Sequence, residues 1–249
     1  MSNNYFKFKQ FTVFQENVSM RVNTDGVLLG VWASLPNTTK TTVLDVGTGT
    51  GVIALMIAQR LNTKADITAI DIDEPSVNQA AENFEQSKWQ ESLTAQHVSL
   101  QDFVATKKEE QFDLIISNPP YFNNALKNPQ QTKRSARHTD SLSYQELTEA
   151  AKKLLKPNGI LSVIIPYYEF PTMQRAVDST LQLVRLCKVF TLRQDKEPKR
   201  LLLEYKKHQN DQQETNNRHL TEETLCIMED PATFTEEYKS LTKDFYLKF

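Results

Sequence analysis

The strongest constraint on the fold is a cluster of glycines between an apolar strand and an apolar helix. The chain has six glycines in 249 residues, and three of them, Gly47, Gly49 and Gly51, follow Asp45 in one short string. Glycine adopts backbone conformations closed to other residues and lets another group approach closely. A glycine-poor chain that concentrates them here therefore predicts a tight strand-to-helix turn beside a ligand at the helix N-terminus.

Strands and helices alternate along most of the chain, which predicts an α/β fold. Several predicted strands are almost wholly apolar, as in a mostly parallel sheet that is covered on both faces. Near the end of the core, two strands separated by a charged turn predict an antiparallel hairpin at the sheet edge. Ahead of the core, residues 5–14 alternate as a short antiparallel extension, and 22–33 read as a loop and a short helix capped by Asp25. The predicted strands are 42–46, 66–71, 93–99, 112–117, 160–165, 184–192 and 200–205, and the predicted helices are 52–61, 74–87, 144–155 and 171–181.

Length and composition predict one cytoplasmic domain, with an N-terminal extension (1–33), a core (34–207), and a polar loop and tail (208–249). The composition, 39% hydrophobic and 24% charged, is that of an ordinary globular protein. No apolar stretch approaches the roughly 18 residues of a membrane span. Cys187 and Cys226 have no metal-binding spacing, so we expect reduced core thiols and no metal. A net charge of -2 means that a nucleic-acid partner must be argued from local charge.

An acid about twenty residues after the glycines completes a nucleoside-binding pattern. Asp71 ends the next predicted strand, where a carboxylate can grip two ribose hydroxyls. A nicotinamide-dependent oxidoreductase shares this plan, but its spacing is G-x-G-x-x-G, whereas this chain has G-x-G-x-G preceded by Asp45. A carboxylate at that position suits a ligand carrying an amino group or positive charge better than a pyrophosphate.

The glycine string resembles the first motif of class I S-adenosylmethionine-dependent methyltransferases. That resemblance implies a Rossmann-like doubly wound sheet and S-adenosyl-L-methionine as the cofactor. It further implies that Asp45 and Gly47 lie near the methionine part, that Gly49 and Gly51 belong to the same cofactor site, that Asp71 binds the ribose, and that Asp102 contacts the adenine amine. A helix cap would explain Asp102 nearly as well.

A second string, Asn118-Pro119-Pro120-Tyr121, directly follows an apolar strand. Two prolines fix φ and remove two donors, so the loop is rigid and its carbonyls are exposed. The Asn118 side-chain oxygen and the Pro119 carbonyl can then accept both hydrogens of one amino group, while Tyr121 offers a flat face to its ring. The string resembles the catalytic motif of methyltransferases that modify exocyclic amines of adenine, guanine or glutamine. The alternative is a rigid proline turn capped by asparagine.

Two basic stretches favour a phosphate-bearing substrate, although ordinary solvated loops would explain them too. The first follows Tyr121 and contains no acid before Asp140, and the second covers the predicted hairpin. The first contains Lys127, Lys133, Arg134, Arg137 and His138, and the second contains Arg193, Lys196, Lys199, Arg200, Lys206 and Lys207.

Segments 23–30, 134–138 and 243–248 resemble one family, the bacterial tRNA(Val) adenine-N(6)-methyltransferases. The resemblance implies methylation of the adenine 3′ of the anticodon in tRNA, with Arg134, Arg137 and His138 on the tRNA side. Two alternatives stay open within or near this chemistry: another exocyclic amine, such as a ribosomal RNA base or a glutamine amide of a translation factor, and a non-catalytic RNA-docking scaffold.

Overall fold

The computed structural model describes residues 3–16, 18–106, 111–121, 142–208 and 220–249, and these form a large sheet, a small one and seven α-helices. The strands are β1 (Tyr5–Lys7), β2 (Thr12–Phe14), β3 (Thr41–Val46), β4 (Ala65–Asp71), β5 (Leu93–His97), β6 (Phe112–Ser117), β7 (Leu155–Pro166), β8 (Leu181–Leu192), β9 (Arg200–Lys207), β10 (Thr221–Asp230) and β11 (Thr233–Phe234). The helices are α1 (Thr24–Trp32), α2 (Val52–Leu61), α3 (Glu74–Glu85), α4 (Leu100–Thr106), α5 (Tyr144–Leu154), α6 (Phe170–Ala176) and α7 (Glu236–Thr242).

The large sheet has the order β11-β10-β8-β9-β7-β6-β3-β4-β5. Strand β3 is parallel to both of its neighbours, β4 and β6, and the register pairs Val46 with Ile70 on one side and with Ser117 on the other. The carboxyl ends of these three strands therefore lie side by side. The chain passes from β3 to one neighbour and returns later to the other, which is the switch point where open α/β sheets bind ligands.

Helices cover both faces of the sheet, so the predicted doubly wound α/β fold is confirmed. Adjacent residues of β3 point into opposite layers, since Val43 packs with α1, α2 and α3, whereas Leu44 packs with α4, α5 and α6. The seven apolar residues that open α2 are all buried, because that helix lies between the sheet and α1. The predicted N-terminal extension is also confirmed as the two-stranded sheet of β1 and β2.

The predicted antiparallel hairpin forms from β8 and β9, but its position at the sheet edge was wrong. β9 lies inside, antiparallel to both β7 and β8, and the chain beyond residue 220 adds two further strands. β10 runs parallel to β8, and β11 pairs antiparallel with β10. The segment predicted as a tail thus extends the sheet and ends in α7. β10 gave no strand signal because its acidic ends are exposed and only Leu225 and Cys226 in its middle are buried.

Two element boundaries differ most from prediction. The helix predicted over 171–181 ends at Ala176, because a turn follows in which Asp178 accepts hydrogen bonds from the Thr180 and Leu181 backbone. The strand predicted over 160–165 starts earlier, because β7 begins at Leu155 and bulges where Asn158 adopts a φ of 65°. In the described part of the chain no helix has the length and apolar character needed to cross a membrane.

Candidate active site

The three glycines of the loop between β3 and α2 all have left-handed φ angles, of 72°, 54° and 79°. Two of them face open space, because a side chain added at Gly47 or Gly49 would meet no described atom within 4 Å. Gly51 faces inward instead, and a Cβ there would lie 2.5 Å from the ring of Phe84. Gly47 and Gly49 therefore leave room for a ligand, whereas Gly51 lets α3 pack against the loop.

Asp45 lies beneath this loop, fully buried, and its carboxylate does not line the cleft above. One carboxylate oxygen accepts a 2.7 Å hydrogen bond from the Thr48 hydroxyl. The other oxygen has no hydrogen-bond partner among the described residues. Burial raises the pKa of Asp45 to about 7, against the opposing effect of the Thr48 hydrogen bond. The carboxylate is positioned to hold the loop and to favour a nearby positive charge.

A cleft of about 790 Å³ opens over the carboxyl ends of β3, β4 and β6. This volume lies in the range of small-molecule and cofactor sites. Its wall combines carboxylates with apolar side chains, including Ile72, which is 47% exposed beside Asp71. Of the residues predicted for the cofactor or the catalytic motif, the cleft is lined by Gly47, Gly49, Asp71, Asp102, Asn118 and Pro120.

The two acids predicted to bind the cofactor, Asp71 and Asp102, both line the cleft but differ in their hydrogen-bond partners. Asp71 accepts from the backbone N–H of Gly49 at 2.9 Å and from that of Asp73 at 3.0 Å, so it joins the glycine loop to the start of α3. Asp102 accepts from the Ser99 hydroxyl at 2.7 Å, and its own backbone N–H donates back to that oxygen. Asp102 thus stabilises the start of α4 and lines the cleft at the same time.

Residues 19–23 form part of the cleft wall, which the sequence did not predict. Asn23 caps α1 by accepting from the Gly26 backbone, so the predicted capping role of Asp25 was wrong. The segment is fixed through Gln15, whose side chain accepts from the Val22 backbone at 3.0 Å. Buried Asn83 of α3 joins β2 to the glycine loop through the Phe14 and Thr50 carbonyls.

The Asn118-Pro119-Pro120-Tyr121 loop leaves β6 beside the glycine loop. The Ser117 hydroxyl donates a 2.8 Å hydrogen bond to the Val46 carbonyl, which joins the strand ends that carry the two motifs. Asn118 and Pro120 line the cleft, while Pro119 is buried. An acceptor-rich loop therefore stands next to the glycine loop.

Tyr121 belongs to a network that no sequence pattern indicated. Its hydroxyl oxygen lies 2.5 Å from the Asp25 carboxylate and 3.1 Å from the Asn118 side-chain oxygen. Arg200 donates to the same Asp25 oxygen at 2.8 Å, and its guanidinium lies over the Tyr121 ring at 4.9 Å. The Tyr121 hydroxyl has one hydrogen to donate. It donates this hydrogen to Asp25, which is charged and lies closer than the Asn118 oxygen. Asn118 Oδ1 is then left to accept from another donor.

The two predicted basic stretches stand differently in the structure. The first, with Arg134, Arg137 and His138, lies outside the described residues. The second does not form one surface: Arg193 pairs with Glu229, Arg200 pairs with Asp25, and Lys207 is buried and donates to backbone carbonyls. Lys199 is exposed, directly before β9. Cys187 and Cys226 are buried free thiols, as predicted.

Comparison with known proteins identifies relatives along the full length. The family model described as the methyltransferase small domain matches residues 27–189. A Flavobacterium psychrophilum protein named tRNA1(Val) (adenine(37)-N6)-methyltransferase is 41% identical over 246 residues, 98% of this chain and 99% of its own. Proteins of the same name from Bacteroides thetaiotaomicron and Trichodesmium erythraeum are 39% and 41% identical, covering 99% and 100% of both chains respectively.

Solved structures show the same fold at low identity. A predicted O-methyltransferase from Agrobacterium tumefaciens superimposes with a TM-score of 0.65 at 18% identity, over 89% of this chain and 96% of its own. Pyrococcus horikoshii TYW2, solved with MeSAdo, gives 0.54 at 16% identity, over 82% of this chain and 72% of its own. The full-length relatives identify the family, whereas the solved structures show only the fold. The chain belongs to the tRNA1(Val) (adenine(37)-N6)-methyltransferase family and is an S-adenosylmethionine-dependent methyltransferase.

Proposed function

We propose that this protein transfers a methyl group from S-adenosylmethionine to the exocyclic N6 of the adenine 3′ of the anticodon in tRNA(Val). The observation that carries the proposal is the position of the Asn118–Tyr121 loop, whose Asn118 side chain lines the cleft next to the glycine loop, at the carboxyl ends of β3 and β6. Relatives near 40% identity that are named tRNA1(Val) (adenine(37)-N6)-methyltransferase support the RNA substrate.

The residues of the cleft fit the cofactor. Open space over Gly47 and Gly49 admits it, and Asp71 has lone pairs left for ribose hydroxyls after its two backbone bonds. Exposed Ile72 gives an apolar face for the adenine ring, with Asp102 at the same wall. The unpaired oxygen of buried Asp45 favours a cation nearby. When bound, S-adenosylmethionine supplies a methyl group already activated on a sulfonium.

The chain positions the acceptor amine. Asn118 Oδ1 and the Pro119 carbonyl would accept its two hydrogens, drawing the nitrogen from its planar, conjugated state and freeing its lone pair. Pro119 has a fixed φ, so its carbonyl is held in one orientation. It also has no N–H that could occupy an acceptor of the loop. Positioning of this kind removes most of the entropic barrier to in-line attack.

No side chain of the loop needs to act as a strong base, because the nitrogen becomes acidic once it is methylated and releases its extra proton to water. Burial and the neighbouring Asp25 carboxylate raise the pKa of Tyr121 further above its ordinary value, so the hydroxyl stays protonated. Arg200 and Asp25 fix the ring, and Tyr121 therefore serves as a surface on which the adenine is oriented.

The decisive experiment is Asn118→Ala. We expect methyl transfer to an unmodified tRNA(Val) transcript to fall about 100-fold or more, as for loss of a preorganised polar group in an active site. Calorimetric binding of S-adenosylhomocysteine should stay within about twofold of wild type. The matched control is Asn78→Ala, at an exposed position of α3, which should leave both unchanged.

The substrate is tested separately by mass spectrometry of the product nucleosides. Wild-type enzyme should form N6-methyladenosine in the tRNA(Val) transcript and none when adenine 37 is replaced by guanine. Normal turnover by Asn118→Ala would contradict the catalytic assignment. Methylation of ribosomal RNA or of a translation factor, with tRNA left unmodified, would contradict the substrate.

A further inference from the structure

We propose that a second cavity, next to Tyr121 on the side away from the cleft, binds a nucleobase of the tRNA strand adjoining the methylated adenine. The inference rests on the proposed function and deepens it. The cavity, of about 870 Å³, lies between β1, α1, the strand ends of β8–β10 and the segment after α7. We call it the flanking-base cavity.

The flanking-base cavity is continuous with the catalytic loop. Asp25 and Arg200 belong to its wall, and both contact Tyr121, whose neighbour Asn118 lines the cleft. A base held at Asn118 would thus be linked to this wall through Tyr121, which contacts Asn118, Asp25 and Arg200. A nucleic-acid strand that places one base in the cleft must place an adjoining nucleotide near this wall.

Aromatic rings on the wall suit a flat, uncharged ligand. Phe234 is 36% exposed, stacks on Tyr238 at 5.3 Å and meets Phe249 edge to face at 5.2 Å. The ring is therefore held rigidly by its neighbours and still offers surface to the cavity. Stacking of bases on such rings is the usual means by which proteins hold single-stranded RNA.

The charges on the wall suit phosphates. Lys7, Lys199 and Lys248 are exposed, and none has a carboxylate partner in the described part of the chain. The acid of this wall, Asp25, is already neutralised by Arg200 at 2.8 Å. The combination of unpaired cations and aromatic faces favours an RNA strand over an apolar protein segment, for which three uncompensated lysines would have no use.

The test compares two variants with matched controls. Phe234→Leu keeps apolar bulk and removes the stacking face, and we expect tRNA(Val) to bind about five- to 100-fold more weakly. Lys7→Ala/Lys199→Ala/Lys248→Ala should weaken binding and lower the slope of log affinity against log salt by about 0.7 for each phosphate that the protein no longer neutralises. Tyr5→Leu and Lys64→Ala change exposed residues outside both cavities and should bind as wild type.

Four further readouts separate the outcomes: melting temperature, S-adenosylhomocysteine binding, tRNA methylation and sedimentation. Unchanged melting temperature and S-adenosylhomocysteine binding in both variants, with weakened tRNA binding, support the flanking-base cavity. If wild type methylates tRNA but both variants bind it within twofold of wild type, the cavity assignment is overturned and the proposed function stands. If Phe234→Leu self-associates more weakly than wild type in sedimentation and binds RNA with unchanged affinity, the cavity assignment is overturned. The cavity would then be an interface between two copies of the chain. A wild type that methylates no tRNA overturns the proposed function as well.

Discussion

At the scale of single residues, Gly49 and Gly51 lie two positions apart and serve different neighbours. Gly49 has a left-handed φ with open space at its Cα, while Gly51 has a similar φ and the Phe84 ring against it. The same residue type is thus required once by a ligand site and once by the packing of α3.

The pair gives a direct prediction. Gly51→Ala should lower the free energy of unfolding by about 2–4 kcal/mol, because backbone strain adds to a clash with a buried ring. Gly49→Ala should cost about 1 kcal/mol, from strain alone, and should weaken S-adenosylhomocysteine binding. Urea unfolding and calorimetry measure the two effects, and equal losses of stability would contradict the distinction.

Asp45 predicts a pH dependence of stability. Its folded-state pKa of about 7 exceeds the unfolded value of about 3.9, so between these values the folded protein binds more protons than the unfolded one. The contribution of Asp45 to stability therefore falls as pH rises from about 4 to about 7. Asp45→Asn keeps an acceptor for Thr48 and should gain about 2–3 kcal/mol relative to wild type between pH 5 and pH 8. Exposed Asp244→Asn is the control, and parallel stability curves for Asp45→Asn and wild type would refute the assignment.

At the scale of elements, α3 connects the N-terminal sheet to the glycine loop. Asn83 accepts from the Phe14 backbone at 2.8 Å and donates to the Phe14 and Thr50 carbonyls at 2.9 Å. Gln79, one turn earlier, accepts from the Glu16 backbone at 3.1 Å. The helix thereby fixes the strand that leads into residues 19–23 of the cleft wall.

Removing this connection should affect both stability and binding. Asn83→Ala leaves buried backbone groups without partners, which costs about 1–3 kcal/mol in unfolding free energy. It should also weaken S-adenosylhomocysteine binding, because the loop and residues 19–23 lose a common support. Asn78→Ala on the exposed face of the same helix should change neither property in the same denaturation and calorimetry experiments.

The elements also show what local sequence can and cannot reveal. The helix over Val52–Leu61 and the strand over Phe112–Ser117 lie at their predicted bounds, because most residues of each are apolar. Strand β10 was missed because its pairing with β8, rather than its own composition, makes it a strand. An apolar pattern indicates that a strand is buried. An acidic strand near the lateral edge of a sheet buries few of its residues and lacks that pattern.

The candidate site divides in the same way. The glycine loop, Asp71 and Asn118 come together at the carboxyl ends of β3, β4 and β6, as their positions at strand ends predicted. Their chemical roles remain predictions. The link from Asp25 to Arg200 spans 175 residues, and no local signal in a single sequence marks such a pair. Asp25 also stands where a helix cap is expected, which concealed its other role.

At the scale of the whole molecule, the wall of the cleft is formed by the N-terminal segment, four strand ends and the Asn118–Tyr121 loop. A ligand that bridges so many parts binds the folded protein and not the unfolded one. Binding therefore stabilises the whole chain by mass action.

S-adenosylhomocysteine at about 100 times its dissociation constant should add about 2.7 kcal/mol to stability. For a chain of this size, that corresponds to a rise in melting temperature of roughly 5–10 °C. Asn118→Ala should show the same rise, since its side chain is assigned to the amine, whereas Gly49→Ala should show less. Differential scanning calorimetry makes the comparison, and a reduced rise in Asn118→Ala would place that residue in cofactor binding instead.

The N-terminal sheet is anchored at the other end of the polypeptide. The Lys9 backbone donates to the Phe245 carbonyl at 2.8 Å, and its ammonium donates to the carbonyls of Lys243 and Phe249. Synthesis on the ribosome is vectorial, so these acceptors emerge more than two hundred residues after the lysine. Until they emerge, the segment that completes the cleft wall lacks its anchor. A nascent chain therefore gains this anchor of the cleft only after residues 243–249 have emerged from the ribosome.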